Sequence, residues 1–292
     1  MKIISELLPI LVDVDHHNLL VEQKVNQLLA VAVAGDPKPL LKFFGAYTSW
    51  NGYFAAGVTG LTAKITNARS MFMDPSAKYA SVADRSSHIA SFVFDAAREE
   101  YHDCNRGGRA SHRALAQAFM IALTDALLPN QEAGSYNILL NEPNWLINMN
   151  RETPTHYLGD FKDSHNRFNV YAGIGYHIGS EWLADREFTI IDQLLAKHVP
   201  ELRDKLRHAR IEFMGRVHPG YAWITAHSGE GDAVEQEHYA MAVRAAELAL
   251  EFTPEHDKED AMTFLKLGIK QFADVHADFF KKNFLGTFMR PI

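Results

Sequence analysis

The stretch from Phe168 to about His198 constrains this chain most. Ile174, His177, Ile178, Glu181, Ala184, Phe188 and Ile191 recur at spacings of three and four, which predicts one long helix with a single apolar face. Glu181 lies inside that face. A carboxylate buried without a partner is costly, so it must be paired, neutralised or bound to a cation. Taken alone, a glutamate at a stripe edge is more often a solvated residue or half of an ion pair than a metal ligand.

The rest of the chain supplies helical patterns. Asp15 can cap a helix carrying Val21, Val25, Leu28, Leu29 and Ala32, and Gly35-Asp36-Pro37-Lys38-Pro39 breaks it. Leu40 to about Thr66 reads as helical and rich in aromatic core residues. A helix follows from about Asp84 to His102, with Ile89, Val93 and Ala96 on its stripe, Glu100 on the continuation and Glu99 beside it. After a turn at 103–109, another begins near Ser111, with His112, Leu115, Ala116 and Phe119 on one face. Residues 128–168 hold Pro129, Pro143 and Pro154, which argue against a long helix there, and the apolar run 137–147 suits a pocket-covering segment. A helix over roughly 201–226 is expected to kink at His218-Pro219-Gly220. Glu235 and His238 share the face of Met241, Ala242, Ala245 and Leu248, and a last helix spans about 257–281. No strand alternation stands out. The expectation is an all-α, single-domain bundle of about seven to eight helices covering residues 1–292.

Composition narrows the function classes. The formal charge is −7 without a basic cluster, which argues against a nucleic-acid partner. No apolar run is long enough to span a bilayer, and the N-terminus does not read as a signal peptide. Cys104 is the only cysteine, so neither an internal disulfide framework nor a cysteine-based zinc site is available, and a reducing cytoplasm fits best. Histidine, by contrast, is abundant, with 15 residues.

The inward polar groups form one candidate set: Glu100 (or Glu99), His112, Glu181, His227, Glu235 and His238. Carboxylates on facing helices can bridge two metal ions and offset their charge, and imidazoles add neutral nitrogen donors. Burial of all six without a cation would leave several charges uncompensated. His16, His17, His102, His165, His177 and His276 read as ordinary hydrogen-bonded histidines.

Glu99-Glu100-Tyr101-His102-Asp103, the Gly107-Gly108 turn and Ser111-His112-Arg113-Ala114-Leu115 resemble the Glu-Glu-Tyr-Gly…Ser-His-x-x-Leu-Phe segment of the heme-oxygenase-like diiron oxidases and oxygenases. That family is grouped with the thiaminase-like and pyrroloquinoline-quinone-synthase-like helical bundles. Glu181, within Gly179-Ser180-Glu181-Trp182-Leu183, matches its mid-chain ligand. His227 followed by Glu235-x-x-His238 is similar to its final His-x-x-x-Asp-x-x-His ligand helix. About four extra residues separate His227 from Glu235, so Gly229 to Asp232 suggest a bulge, with Glu230 and Asp232 as alternative carboxylates.

The resemblance implies two ferrous ions, with O2 as co-substrate. Glu100 and Glu181 would bridge or chelate them, His112 and His227 would bind one, and Glu235 and His238 the other. Manganese in place of one iron suits the same ligands. The implied activity is an O2-dependent oxidase or oxygenase of a small organic substrate, an amino acid or amine, in a biosynthetic pathway. Fatty-acid decarboxylation, a metal-free enzyme of the same bundle and a ligand-binding protein are the alternatives. An external electron donor and a homodimer stay open.

Overall fold

The computed structural model describes residues 2–73, 82–102, 110–129, 142–160, 166–213, 215–228 and 234–288. These residues are predominantly helical. The helices are α1 (Lys2–Val14), α2 (His17–Val33), α3 (Lys38–Asn51), α4 (Phe54–Asn67), α5 (Val82–Tyr101), α6 (His112–Leu127), α7 (Asn144–Tyr157), α8 (Asn169–His198), α9 (Pro200–His208), α10 (Ala222–His227), α11 (Val234–Glu251) and α12 (Lys258–Phe288). A hairpin, β1 (Arg210–Phe213) and β2 (Arg216–Pro219), joins α9 to α10.

Helix α8 is the axis. Its 30 residues run about 45 Å at 1.5 Å per residue. It packs most extensively on α12 and also touches α11, α2, α10, α7, α4 and α9. The α8–α12 crossing is close because both helices carry glycine there. A Cβ at Gly175 would sit 2.0 Å from the Leu265 carbonyl oxygen, and one at Gly268 2.0 Å from that of Ala172. A contiguous apolar core fills the space around α8, from Leu7 and Leu11 of α1 to Phe279 and Phe280 of α12. The α2 stripe Val21, Val25, Leu28 and Leu29 is fully buried, as its spacing predicts. Among the described residues, no helix is long and apolar enough to cross a membrane.

The path of the chain departs from the sequence expectation in several places. A helix precedes Asp15, so α1 is extra and the helices exceed seven or eight. Asp15 does not cap α2 through a backbone amide. His16 is the N-cap, and the Asp15 carboxylate instead takes the Asn18 side-chain amide and pairs with Arg186. The aromatic segment from Leu40 breaks at Gly52-Tyr53 into α3 and α4. Residues 144–157 form α7 despite Pro154, helped by Trp50 Nε1–H donating to Thr153 Oγ1 (3.1 Å) and Asn150 Nδ2–H donating to Ser49 Oγ (3.0 Å). Residues 130–141 and 161–165, which include part of the expected pocket-covering segment, lie outside the described residues; in α7 Leu146 is buried and Trp145 half-buried.

The largest departure is at 210–219, expected to be helical. There Arg210 pairs with Pro219, Ile211 with His218, Glu212 with Val217 and Phe213 with Arg216 in an antiparallel register. Gly215 supplies the left-handed turn residue at φ 72°. Pro219 cannot donate a ladder hydrogen bond, and it takes the end of an edge strand.

Candidate metal centre

Five helices deliver the site. Ser111 caps α6 with its hydroxyl accepting from the Ala114 amide (3.1 Å), which fixes His112 at the first helical position. Helix α5 ends in Glu99 and Glu100, α8 carries His177 and Glu181, α10 ends on His227 and α11 carries His238 one turn after its start. Helix α10 stops there because Ser228 is extended (φ −93°, ψ 144°), so His227 and His238 stand on separate helices rather than one continuous helix.

The side chains converge. The His112 and His227 rings meet edge to face at 4.5 Å. His112 Nδ1 is 3.5 Å from Glu100 Oε2. His238 Nε2–H donates to Glu99 Oε2 at 3.1 Å, while its Nδ1 lies 3.7 Å from Glu181 Oε2. The other oxygen of Glu181 is 3.2 Å from His177 Nδ1. His112, His177, Glu181, His227 and His238 are buried, and the Glu99 side chain is only 12% exposed.

Burial and charge set the protonation states. Burial holds the His227 imidazole well below its ordinary pKa, reinforced by His112, so His227 is neutral. Its Nδ1–H donates to the Trp223 carbonyl at 2.7 Å, which selects the tautomer with the lone pair on Nε2. That is the form a metal-binding histidine takes. The ring is held flat against Phe188 (4.4 Å, 21°). Burial lowers the His238 imidazole too, but there the hydrogen bond to Glu99 and the charges of Glu181, Glu99 and Glu100 prevail and raise it above its usual value. The same hydrogen bond lowers Glu99 despite its burial.

Glu100, His112, Glu181, His227 and His238 therefore occupy one neighbourhood. Glu99, offered as a substitute for Glu100, stands beside it as a second acid. His177, read as an ordinary core histidine, faces Glu181; its position one turn earlier on the same apolar stripe was the available signal. The Glu235 side chain lies outside the described residues, as do Glu230, Asp232 and the Gly107-Gly108 turn.

Among the described residues, no group of three or more His, Cys, Asp and Glu side chains stands arranged to hold an ion. The acids instead close on the imidazoles. The donor chemistry nevertheless fits a divalent transition metal: buried Glu181, half-buried Glu99 and Glu100, and several buried imidazoles, one of them fixed as a neutral Nε2 donor.

A scan against protein-family models, a search of curated proteins and a search of solved structures each return no match.

Proposed function

We propose that this protein is a non-heme diiron enzyme of heme-oxygenase-like architecture, using O2 to oxidise a small organic substrate, an amino acid or amine. The observation that carries the proposal is the convergence of Glu99, Glu100, His112, Glu181, His227 and His238 from five helices onto one buried neighbourhood. Two iron ions would supply the electrons and the Lewis acidity that O2 reduction needs.

The residues divide that work. His112 and His227 lie ring to ring and offer nitrogens on one side, with Glu100 beside them. Glu181 lies between His177 and His238, placed to span from one side of the site to the other, and Glu99 approaches His238 from α5. Glu235 is assigned to the His238 side on the resemblance alone. Phe188 and Trp223 pack behind His227 and keep water from its back. Tyr157 is buried next to this acid cluster, and burial with the nearby Glu181 charge raises its phenol well above the ordinary range. It stays protonated and donates to Ser180 Oγ (2.9 Å), which in turn donates to the His177 carbonyl (2.7 Å). This relay braces the α8 turn that presents Glu181.

Anaerobic titration with ferrous ion tests the reading. Two irons per chain are expected, and Glu181→Ala and His238→Ala should each lose one or both while keeping the helical circular-dichroism spectrum. A wild-type chain that binds no iron, or variants that bind two irons normally, would overturn it. Stopped-flow absorption of the ferrous protein with O2, over a panel of amino acids, amines and fatty acids, then selects the substrate class.

A further inference from the structure

A second buried polar cluster lies behind the candidate metal centre and takes no part in holding it. The Tyr47 hydroxyl donates to Glu187 Oε1 at 2.5 Å, and His276 Nε2–H donates to Glu187 Oε2 at 2.6 Å. Tyr47 and His276 are fully buried and Glu187 is 3% exposed. Around them stand Phe43, Phe188, Trp223, Phe279 and Phe280. A purely structural role is a poor explanation, because apolar residues of similar volume commonly stabilise a core as well as a buried ionisable network does.

Two further features give the cluster a direction. Tyr47 touches Trp223 (5.4 Å between ring centroids), and Trp223 touches His227 (6.3 Å), so an oxidisable phenol and an oxidisable indole form consecutive steps towards the site. On the other side, the His276 ring lies 6.4 Å from that of His17, which is half-buried and tilted against exposed His16 at 4.3 Å. The ring path and the imidazole path both meet at Tyr47 and Glu187.

We propose that Tyr47 is a one-electron relay for the candidate metal centre and that Glu187 is the base that takes its proton. In the forward step the Tyr47 O–H bond breaks, the proton moves to Glu187 Oε1, and the electron leaves through Trp223 towards His227, where an oxidised iron ion, if held by the site, would accept it and be reduced by one electron. Tyr47 is left as a neutral phenoxyl radical. An external one-electron donor restores it, and the proton returns from Glu187. The 2.5 Å contact already lies within transfer distance. The relay rests on the diiron reading for its oxidant.

The test is electron paramagnetic resonance of the full chain, loaded with ferrous ion, exposed to O2 and freeze-quenched. An organic radical is expected, narrowed by ring-deuterated tyrosine and absent in Tyr47→Phe, although that variant binds as much iron as the wild type. In Glu187→Gln the radical should form roughly a hundredfold more slowly, the lower end of what a positioned base contributes. An iron-loaded wild type without a tyrosine radical, or an unchanged radical in Tyr47→Phe, overturns the relay. If Glu187→Gln fails to fold, Tyr47→Phe, which removes one hydroxyl, decides alone. If the wild type binds no iron, the diiron reading falls, and flash-generated ruthenium(III) tris-bipyridine serves as the oxidant instead. A long-lived radical lost in Tyr47→Phe then supports Tyr47 as the oxidisable relay residue, and identical signals in both proteins overturn it.

Discussion

Replacing Gly268 by alanine tests whether the α8–α12 contact depends on a missing Cβ. The new methyl would lie 2.0 Å from the Ala172 carbonyl oxygen and 2.6 Å from the Tyr176 amide nitrogen. Both are backbone atoms, so no side chain can swing aside. To reach even 3.0 Å, the shortest approach a Cβ makes, the two helices must part by about 1 Å. Overpacking of this kind costs about 1–3 kcal/mol. Alanine returns about 1 kcal/mol through its better helix propensity. The overlap involves backbone on both sides, which favours the upper end, and a net loss of about 2 kcal/mol is expected. For a chain of 292 residues that is a fall of about 3 °C in melting temperature. Gly60→Ala is the control. Its methyl would meet only the Leu158 side chain, at 3.3 Å, so it should leave stability unchanged or raise it by up to about 1 kcal/mol. Thermal unfolding followed by circular dichroism separates the two. Gly268→Ala melting at or above Gly60→Ala would refute the argument. Iron bound per folded chain should match the wild type, since the Gly268 contacts fall on α8 before its site residues.

Other consequences follow from the same packing and charge arguments. Asp192 accepts from Arg203 Nε–H (2.8 Å), from an Arg203 terminal N–H (2.7 Å) and from the Tyr221 hydroxyl (2.6 Å), so Asp192→Ala strands buried donors and should cost about 3–5 kcal/mol in denaturant unfolding. Burial opposes ionisation of Asp192, but the Arg203 and Tyr221 hydrogen bonds prevail and lower its pKa. Its folded value is therefore below its unfolded value, so the stabilisation is present above about pH 4 and is lost as pH falls through the folded value. The difference between wild type and Asp192→Asn should shrink towards acid, and a difference constant with pH would contradict this. Phe188→Ala removes a buried ring that stacks on His227 and touches Tyr47 and Trp223; a loss of about 3–5 kcal/mol is expected. Weaker ferrous-ion binding in calorimetric titration should accompany it, and unaltered binding would show that the stack does not position His227. Glu99→Gln should also weaken that binding, because it removes the carboxylate facing His238; if only Glu100→Gln does so, the acid of α5 is Glu100 alone.

The sequence by itself determined the helical character and which helix faces carry polar groups. The stripe of α8 is legible because apolar positions three and four apart can be buried only on a helix, and an acid among them marks a place needing compensation. The same logic picked out Glu100, His112, Glu181 and His238. It failed where local pattern is ambiguous. Residues 210–219 are short and mixed in character, and tertiary contacts with α6 and α9 decide that they pair as strands. Pro154 is tolerated because neighbouring helices supply α7 with side-chain partners.

Only the tertiary structure decided what each polar group faces. Periodicity assigns a residue to a side of its own helix and says nothing about the element across from it. That is why His177 and His276 look like ordinary hydrogen-bonded histidines in the sequence, and why Tyr47 of α3 and Glu187 of α8 carry no signal of their own there. Their meaning lies in contacts between residues as many as 140 positions apart, set by the close approach that Gly175 and Gly268 permit and by the packing of α3 against α12.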